Sequence, residues 1–396
     1  MYIAKRYLFS KSSNNTINII TLIAGIGVVI GTLALFIVLS GFSGLREFSI
    51  GFLNTSDPDI KISASKGKSF FYDSSFEEKL NLEKDIESFT KVIEERAFFE
   101  FHNKTHIAFI KGVDTNYTKV TKIDTTVYVG TWLTSEYSAG AVVGNGISNL
   151  LSIGVFDFLE PLKIYVPKPG NDYIINPKNA FNTIHTQPIG VFALTDEIDT
   201  KFTFVSLENA QELLSYESNQ ISAIEIKVSN IGNKESLINN LQSKFGSSFK
   251  IETREQLNAV FYKMLNTENL VSYLIFTLIL IIALFNVIGA IIMMILDKRE
   301  NLRTLYNLGA TLKEIKHIFV LQGFLLTLIG LFIGLTIGII LVYLQNQFHF
   351  FMITPHLPYP VKLTQMNIIT VIITILFLGY FASKIASSSI SKKMVE

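Results

Sequence analysis

The sequence predicts a membrane α-helical protein with four transmembrane helices and a large α+β domain inserted between helices one and two. Three observations predict it. Long apolar stretches at roughly residues 17–41, 270–296, 318–345 and 366–383 each meet the ~20 residues needed to cross a hydrocarbon core. No Asp, Glu, Lys or Arg lies between Lys11 and Arg46, nor between Glu268 and Asp297. A polar stretch of about 220 residues separates the first apolar run from the other three.

Basic residues set the expected orientation. Lys5, Arg6 and Lys11 precede the first span. Lys298, Arg299, Arg303, Lys313 and Lys316 lie between the second and third, and Lys384, Lys392 and Lys393 follow the fourth. Lys362 alone marks the segment between spans three and four. Lys and Arg near span ends stay cytoplasmic, whereas long domains cross largely regardless of charge. The expected plan is a cytoplasmic amphipathic segment 1–16, a span and stalk 17–45, and an external domain 46–256. A second stalk and span 257–296, a cytoplasmic coupling helix 297–317 and a span 318–345 follow. An external loop 346–365, a span 366–383 and a cytoplasmic tail 384–396 complete it. The first apolar run exceeds the 7–15 residues of a signal h-region, so it reads as a retained anchor.

Composition narrows the chemistry. With no cysteine, the external domain uses no disulfides and relies on its own core. A net charge of +1 and a pI near 7.8 give no nucleic-acid surface. His102 and His106 flank a turn without further ligands and read as turn residues rather than a metal site. The Lys66-Gly67-Lys68-Ser69 run has Ile62 where a phosphate-binding loop needs its first Gly. Asp196, Glu197 and Asp199 lack calcium-loop spacing and read as a solvated turn. No catalytic constellation stands out.

Within the external domain, residues 58–64 alternate, placing Ile60 and Ile62 on one strand face. Residues 76–89 read as helix from Phe76, Leu80, Leu82, Ile86 and Phe89. Residues 91–102 and 105–113 read as a hairpin about His102-Asn103-Lys104. Strands follow at 141–145, 162–166, 189–194, 202–205 and 223–228, with helices at 147–151, 207–214 and 235–245. The mixture suggests two lobes. The Pro- and Asn-rich segment 167–188 reads as a loop of about 20 residues, a length usually functional or disordered.

The spans carry mechanical signals. Phe42, Leu45, Phe48, Phe52 and Leu53 after span one, and Leu257, Val260, Phe261, Met264 and Leu265 before span two, recur at helical spacing. Both helices should therefore continue as stalks. A helix over 17–53 would be about 55 Å long against a hydrocarbon thickness of about 30 Å. These faces either pack together as core or line an apolar cavity opening outward, and both can hold. Gly27 and Gly31, and Gly330, Gly334 and Gly338, form small-residue stripes that permit close helix packing. Between spans two and three, Leu302, Leu305, Leu308 and Leu312 fall near one helical face before and after a Gly309-Ala310 break, unless this segment is simply an interfacial helix.

The run Lys298-Arg299-Glu300-x-Leu302-x-x-Leu305-x-x-Leu308-Gly309-Ala310 resembles the FtsX/MacB-type permeases of ABC transporters. Ile315-x-x-Ile318-Phe319-x-x-Gln322-Gly323 and the glycine stripe belong to the same pattern. Within that superfamily the chain is most similar to the transmembrane subunits of lipoprotein-releasing (Lol) systems. Ala4-Lys5-Arg6-Tyr7-Leu8, Val143-Gly144-Asn145-Gly146 and Pro188-Ile189-Gly190-Val191-Phe192 match that pattern, and the resemblance covers essentially the whole chain. Asn301 departs from it, standing where the family usually has a small or apolar residue.

The resemblance implies a non-catalytic permease of the bacterial inner membrane. Two such subunits, identical or related, would bind separate ATPase subunits through Glu300, Leu302, Leu305, Leu308, Gly309 and Leu312. ATP and magnesium would reside in the partner; this chain would hold no cofactor. An acylated lipoprotein would be squeezed from a cavity lined by Phe36, Leu39, Phe42, Phe48, Phe261, Met264, Leu265 and Tyr273 and passed to a periplasmic carrier. By the same resemblance a hairpin at 167–188, with Pro169, Tyr173, Pro177 and Phe181, would dock that carrier. Two other readings stay open: a signalling subunit that activates a cell-wall hydrolase, and an efflux permease working with a periplasmic adaptor.

Overall fold

The computed structural model describes residues 6, 15–156, 160–168, 180–229, 234–355 and 357–391. The chain divides into two compact units, one comprising Met1–Ser49 with Val260–Glu396 and the other Ile50–Ala259.

The first element, α1 (Asn15–Ser56), is one uninterrupted helix of 42 residues. At 1.5 Å per residue it is about 63 Å long, and the helix continues through Phe42 to Leu53 as their spacing predicted.

The inserted unit holds a ten-stranded sheet. Strand β1 (Ile60–Ala64) buries Ile60 and Ile62 completely, as its alternation requires. After β2 (Phe70–Phe71), helix α2 spans Ser74–Asn81, capped by the Asp73 carboxylate on the Phe76 N–H. The predicted helix over 76–89 is therefore cut short. Ile86 and Phe89 belong to β3 (Ile86–Phe101), which pairs with β4 (Lys104–Val113). The turn between them places His102 at φ 44° and Asn103 at φ 61°, the left-handed pair of a two-residue hairpin.

Helix α3 (Tyr117–Val120), a 3₁₀ turn at Ile123–Thr126 and β5 (Val127–Gly130) lead into β6 (Gly140–Gly144) and α4 (Asn145–Leu151). Then come β7 (Leu162–Pro167), β8 (Phe181–Phe192), α5 (Asp196–Lys201), β9 (Phe202–Ser206) and α6 (Leu207–Leu214). The unit closes with β10 (Gln220–Ile221), β11 (Ala223–Val228), α7 (Lys234–Phe245), β12 (Phe249–Thr253) and α8 (Arg254–Leu257).

The two-lobe expectation gives way to one unit, because the sheet closes on itself. Strand β7 pairs with both β3 and β8, completing a ring β3-β4-β9-β6-β8-β7. Ring and flanking strands share the main core of Phe99, Ile110, Val143, Ile164 and Ile224, and a smaller core gathers around Tyr117, Phe192 and Phe204. The segment read as a loop over 167–188 is also shorter than expected. Phe181 stands opposite Pro167 and Thr186 opposite Leu162 in the β7–β8 ladder.

The acidic run at 196–199 is likewise no solvated turn. Thr195 caps α5, and Asp199 is buried, accepting the Leu194 N–H at 2.9 Å. Burial raises its carboxyl above the usual value. Gly144 and Gly146 explain part of the Val143–Gly146 signature, since a Cβ on Gly144 would lie 2.2 Å from the Asp199 carbonyl.

A charged cluster lies across β1, β11, β3 and β4. Lys61 sits 2.9 Å from Glu94, and Lys111 sits 2.8 Å from Glu225. Burial pushes the Glu94 carboxyl up, but Lys61 and then Lys111 outweigh it and hold it down at about 2. A carboxylate held below its ordinary value of 4.5 contributes stability that is complete above that pH and lost as pH falls toward 2. Glu94→Gln is expected to cost about 2 kcal/mol at neutral pH and to flatten the acid loss between pH 4.5 and 2. Thermal unfolding of the detergent-solubilised protein across that range measures both.

The remaining helices are α9 (Ala259–Asp297), α10 (Arg299–Asn307), α11 (Leu312–Phe348) and α12 (Gln365–Ser388). A small hairpin of β13 (Met352–Thr354) and β14 (Leu357–Pro358) separates the last two. Helices α1, α9, α11 and α12 are long and apolar enough to cross a membrane. Two expected boundaries move: residues 312–317 open α11 rather than ending a connector, and α12 runs beyond residue 383 to Ser388.

The glycine stripes pack within the chain. Gly330 meets Val28, Gly334 meets the Val29 carbonyl and Thr32, and Gly338 meets Phe36, all on α1. Gly31 meets Leu280 of α9, whereas a Cβ on Gly27 would touch nothing within 4 Å. Helix α1 is pinned further along its length. A Cβ on Gly44 would strike the Pro360 carbonyl at 2.4 Å, and Asn367 donates to the Leu39 carbonyl at 3.1 Å and to Ser43 at 2.9 Å. Lys362 also pairs with Glu47.

Candidate functional site

The connector between α9 and α11 is a helix, a tight turn and a second helix start. Leu308 closes α10, its N–H donating to the Thr304 carbonyl at 3.0 Å. Gly309 has φ +98°, a conformation glycine adopts freely, and the Ala310 N–H reaches back to the Leu305 carbonyl at 3.1 Å. Thr311 then opens α11 with a capping box to Glu314, so the orphan donors of the new helix are met at once.

This geometry splits the predicted leucine face. Residues three apart drift by about 60° per step on a helix, so Leu302, Leu305 and Leu308 do not share one face. Leu302 is fully buried in the helical core, and Tyr306, Ala310 and Leu312 pack against that core. Leu305 is half-buried. Leu308, by contrast, is 80% exposed. Glu300, Asn301, Arg303, Thr304 and Asn307 are exposed beside it. The exposed surface here is thus the turn apex at Leu308 and Gly309 with the polar side of α10, while Leu302 serves as an internal anchor.

The expected cavity residues are similarly divided. Phe36 and Leu39 are buried in the helical core, Phe36 against Gly338, so they line no cavity in this chain. Tyr273 packs on the same core and its hydroxyl meets the Thr374 hydroxyl at 2.9 Å. Phe48 and Phe261 are half-exposed and Met264 is exposed. Phe42 and Leu265 do come together, with Leu45, Arg46, Glu268 and Asn269, around a cavity of about 40 Å³.

Of the predicted docking hairpin, Pro169, Tyr173 and Pro177 lie outside the described residues. Phe181 opens β8, 42% exposed, its ring 6.4 Å from that of Tyr165. It borders a groove of about 600 Å³ with Phe98, Ile107, Val166 and Leu214.

Reading the sequence missed Arg254, which is buried beside Asp59 and Asn54. The partners are about 200 residues apart in the chain, and no local pattern joins them; only the Thr253-x-x-Gln256 capping box marks the spot.

Four helices long and apolar enough to cross a membrane, a domain inserted after the first and a helix–turn connector between the second and third make up the layout set beside known proteins. Residues 273–395 match the FtsX-like permease C-terminal family. The chain is also similar to transmembrane proteins of lipoprotein-releasing systems. It is 24% identical to LolC of Buchnera aphidicola subsp. Schizaphis graminum, covering 96% of this chain and 92% of that protein. It is 24% identical to LolE of Haemophilus influenzae, covering 86% and 81%. Among solved structures it aligns with the periplasmic region of MacB from Actinobacillus actinomycetemcomitans at 14% identity and a TM-score of 0.35. That alignment covers 51% of this chain and 92% of that one.

Proposed function

We propose that this chain is the membrane subunit of a transporter that extracts lipoproteins from the inner membrane and releases them to a periplasmic carrier. Separate ATPase subunits, holding ATP and magnesium, supply the energy. The observation that carries this reading is the similarity to lipoprotein-releasing transmembrane proteins over 96% of the chain, inserted domain included. The termini and the 297–317 connector face the cytoplasm and the inserted domain faces the periplasm, as the distribution of basic residues favours.

The physics supports a multi-subunit machine. Pulling acyl chains from a bilayer costs about 0.8 kcal/mol per CH₂, so an external energy source is required. The cavity at Phe42 and Leu265, about 40 Å³, barely exceeds the ~30 Å³ share of one water. The acyl-binding cavity is formed, on this reading, between these stalks and those of a second permease subunit, identical or related. Glu300, Leu308 and Gly309 present the ATPase-facing surface, and the groove beside Phe181 is the proposed contact for the carrier.

Reconstitution with the ATPase found in its own membranes is expected to give ATP-dependent transfer of an acylated lipoprotein to a soluble carrier. Intact ATP hydrolysis without transfer would sink the proposal. Crosslinking to a cell-wall hydrolase instead would establish the signalling reading, and crosslinking to a periplasmic adaptor the efflux reading.

A further inference from the structure

The two chain connections of the inserted domain meet at one buried arginine. Arg254, the first residue of α8, is 8% exposed. Its Nε donates to the Pro58 carbonyl at 3.2 Å, and its Nη2 donates to the Asp57 carbonyl at 3.0 Å and to Asp59 Oδ1 at 2.9 Å. Its Nη1 donates to the Asn54 side chain. Its backbone N–H adds a bond to the Asp59 carbonyl at 3.2 Å. Asn54 lies in the last turn of α1, and residues 57–59 carry the chain from α1 into β1.

A second bond repeats the connection. Asn258, one residue before α9, donates to Asp57 Oδ2 at 2.6 Å. Asp59 in turn is anchored in the sheet, its Oδ2 accepting the Val228 N–H of β11 at 3.0 Å. The cation also bonds the Asn54 side chain in the last turn of α1, near the helix end whose dipole favours positive charge. A planar fork bonded to several acceptors fixes geometry in a way a flexible ammonium does not.

We propose that Arg254 is a positioning residue that locks the end of α1 to the start of α9 at the base of the inserted domain, so that displacement of these helices is transmitted to the domain rather than lost as slack. This rests on the transport reading above, but its test does not need cargo. The chain has no cysteine, so spin labels on cysteines placed at exposed Gln242 and Lys384 report ATP-driven movement in the complex with its ATPase subunits.

In the unmodified protein the label distance is expected to change on addition of ATP and vanadate. In Arg254→Ala the change is expected to fall to under one third while ATP hydrolysis continues. Arg254→Lys should recover only part of it. Asp57→Cys with Asn258→Cys in the Arg254→Ala background joins the same two segments by a disulfide, and oxidation should restore the movement while reduction abolishes it. A purely structural role would show as movement lost only in proportion to unfolded protein, or as a disulfide that restores melting temperature but not movement. Either result overturns the proposal, as does unchanged movement in Arg254→Ala or none in the unmodified protein. Movement without lipoprotein release would instead sink the transport reading and leave the clamp standing.

Discussion

Gly334→Leu is expected to abolish assembly of the helical unit. Even a methyl group there would lie 2.6 Å from the Val29 carbonyl oxygen and 2.8 Å from Thr32 Cβ, and backbone cannot step aside. Thr32 is itself fully buried, its hydroxyl bonded to the Val28 carbonyl at 2.7 Å. Overpacking a filled core costs about 1–3 kcal/mol, and in lipid no hydrophobic drive between helices compensates for lost contact. Gly334→Ala should already lower the melting temperature in detergent, and Gly334→Leu should remove the monodisperse folded species on size exclusion. Gly338→Ala should be milder, because its neighbour is the Phe36 ring, which can shift. Gly27→Ala is the control, with nothing within 4 Å, and should behave as the unmodified protein.

On the proposed function, Leu308→Asp is expected to separate the chain from the ATPase subunits without unfolding it. The side chain is 80% exposed at the apex of the α10–α11 turn, so a charge there costs the isolated chain almost nothing. Burying a leucine under a partner contributes about 2 kcal/mol, and placing a carboxylate in that contact adds a desolvation cost. Loss of at least tenfold in ATPase affinity follows, read by co-purification and by the concentration dependence of ATP hydrolysis. Leu302→Asp should look different: it places a charge in the helical core and should lose folded protein first. Co-purification unchanged in Leu308→Asp would remove this apex from the coupling surface.

Local periodicity carries much of this protein. Four apolar runs without charge leave no alternative to spanning helices, and the alternation around Ile60 and Ile62 leaves none to a strand. The hairpin at His102 and Asn103 and the helix Leu207–Leu214 were legible because each is stabilised by neighbours in sequence. The reading failed where near neighbours gave two answers. Ile86 and Phe89 fit a helical repeat, yet β11 recruits them into β3, with Phe89 opposite Ile226 and Ile86 opposite Val228, since ladder pairing outweighs a weak local preference. Asp199 looked solvated until the fold placed the Leu194 N–H against it.

The sequence by itself determined the division into membrane helices and inserted domain, the stalk continuation of α1 and the resemblance to FtsX-type permeases, because hydropathy and helical spacing are properties of contiguous residues. The tertiary structure alone decided that the Gly330, Gly334 and Gly338 stripe packs on α1, that Phe36 and Leu39 are core rather than cavity, and that Leu308 points out where Leu302 points in. It alone brought Arg254 to Asp59. Each of these depends on which distant segment fills a given space, and close packing assigns that space only once the whole chain has folded.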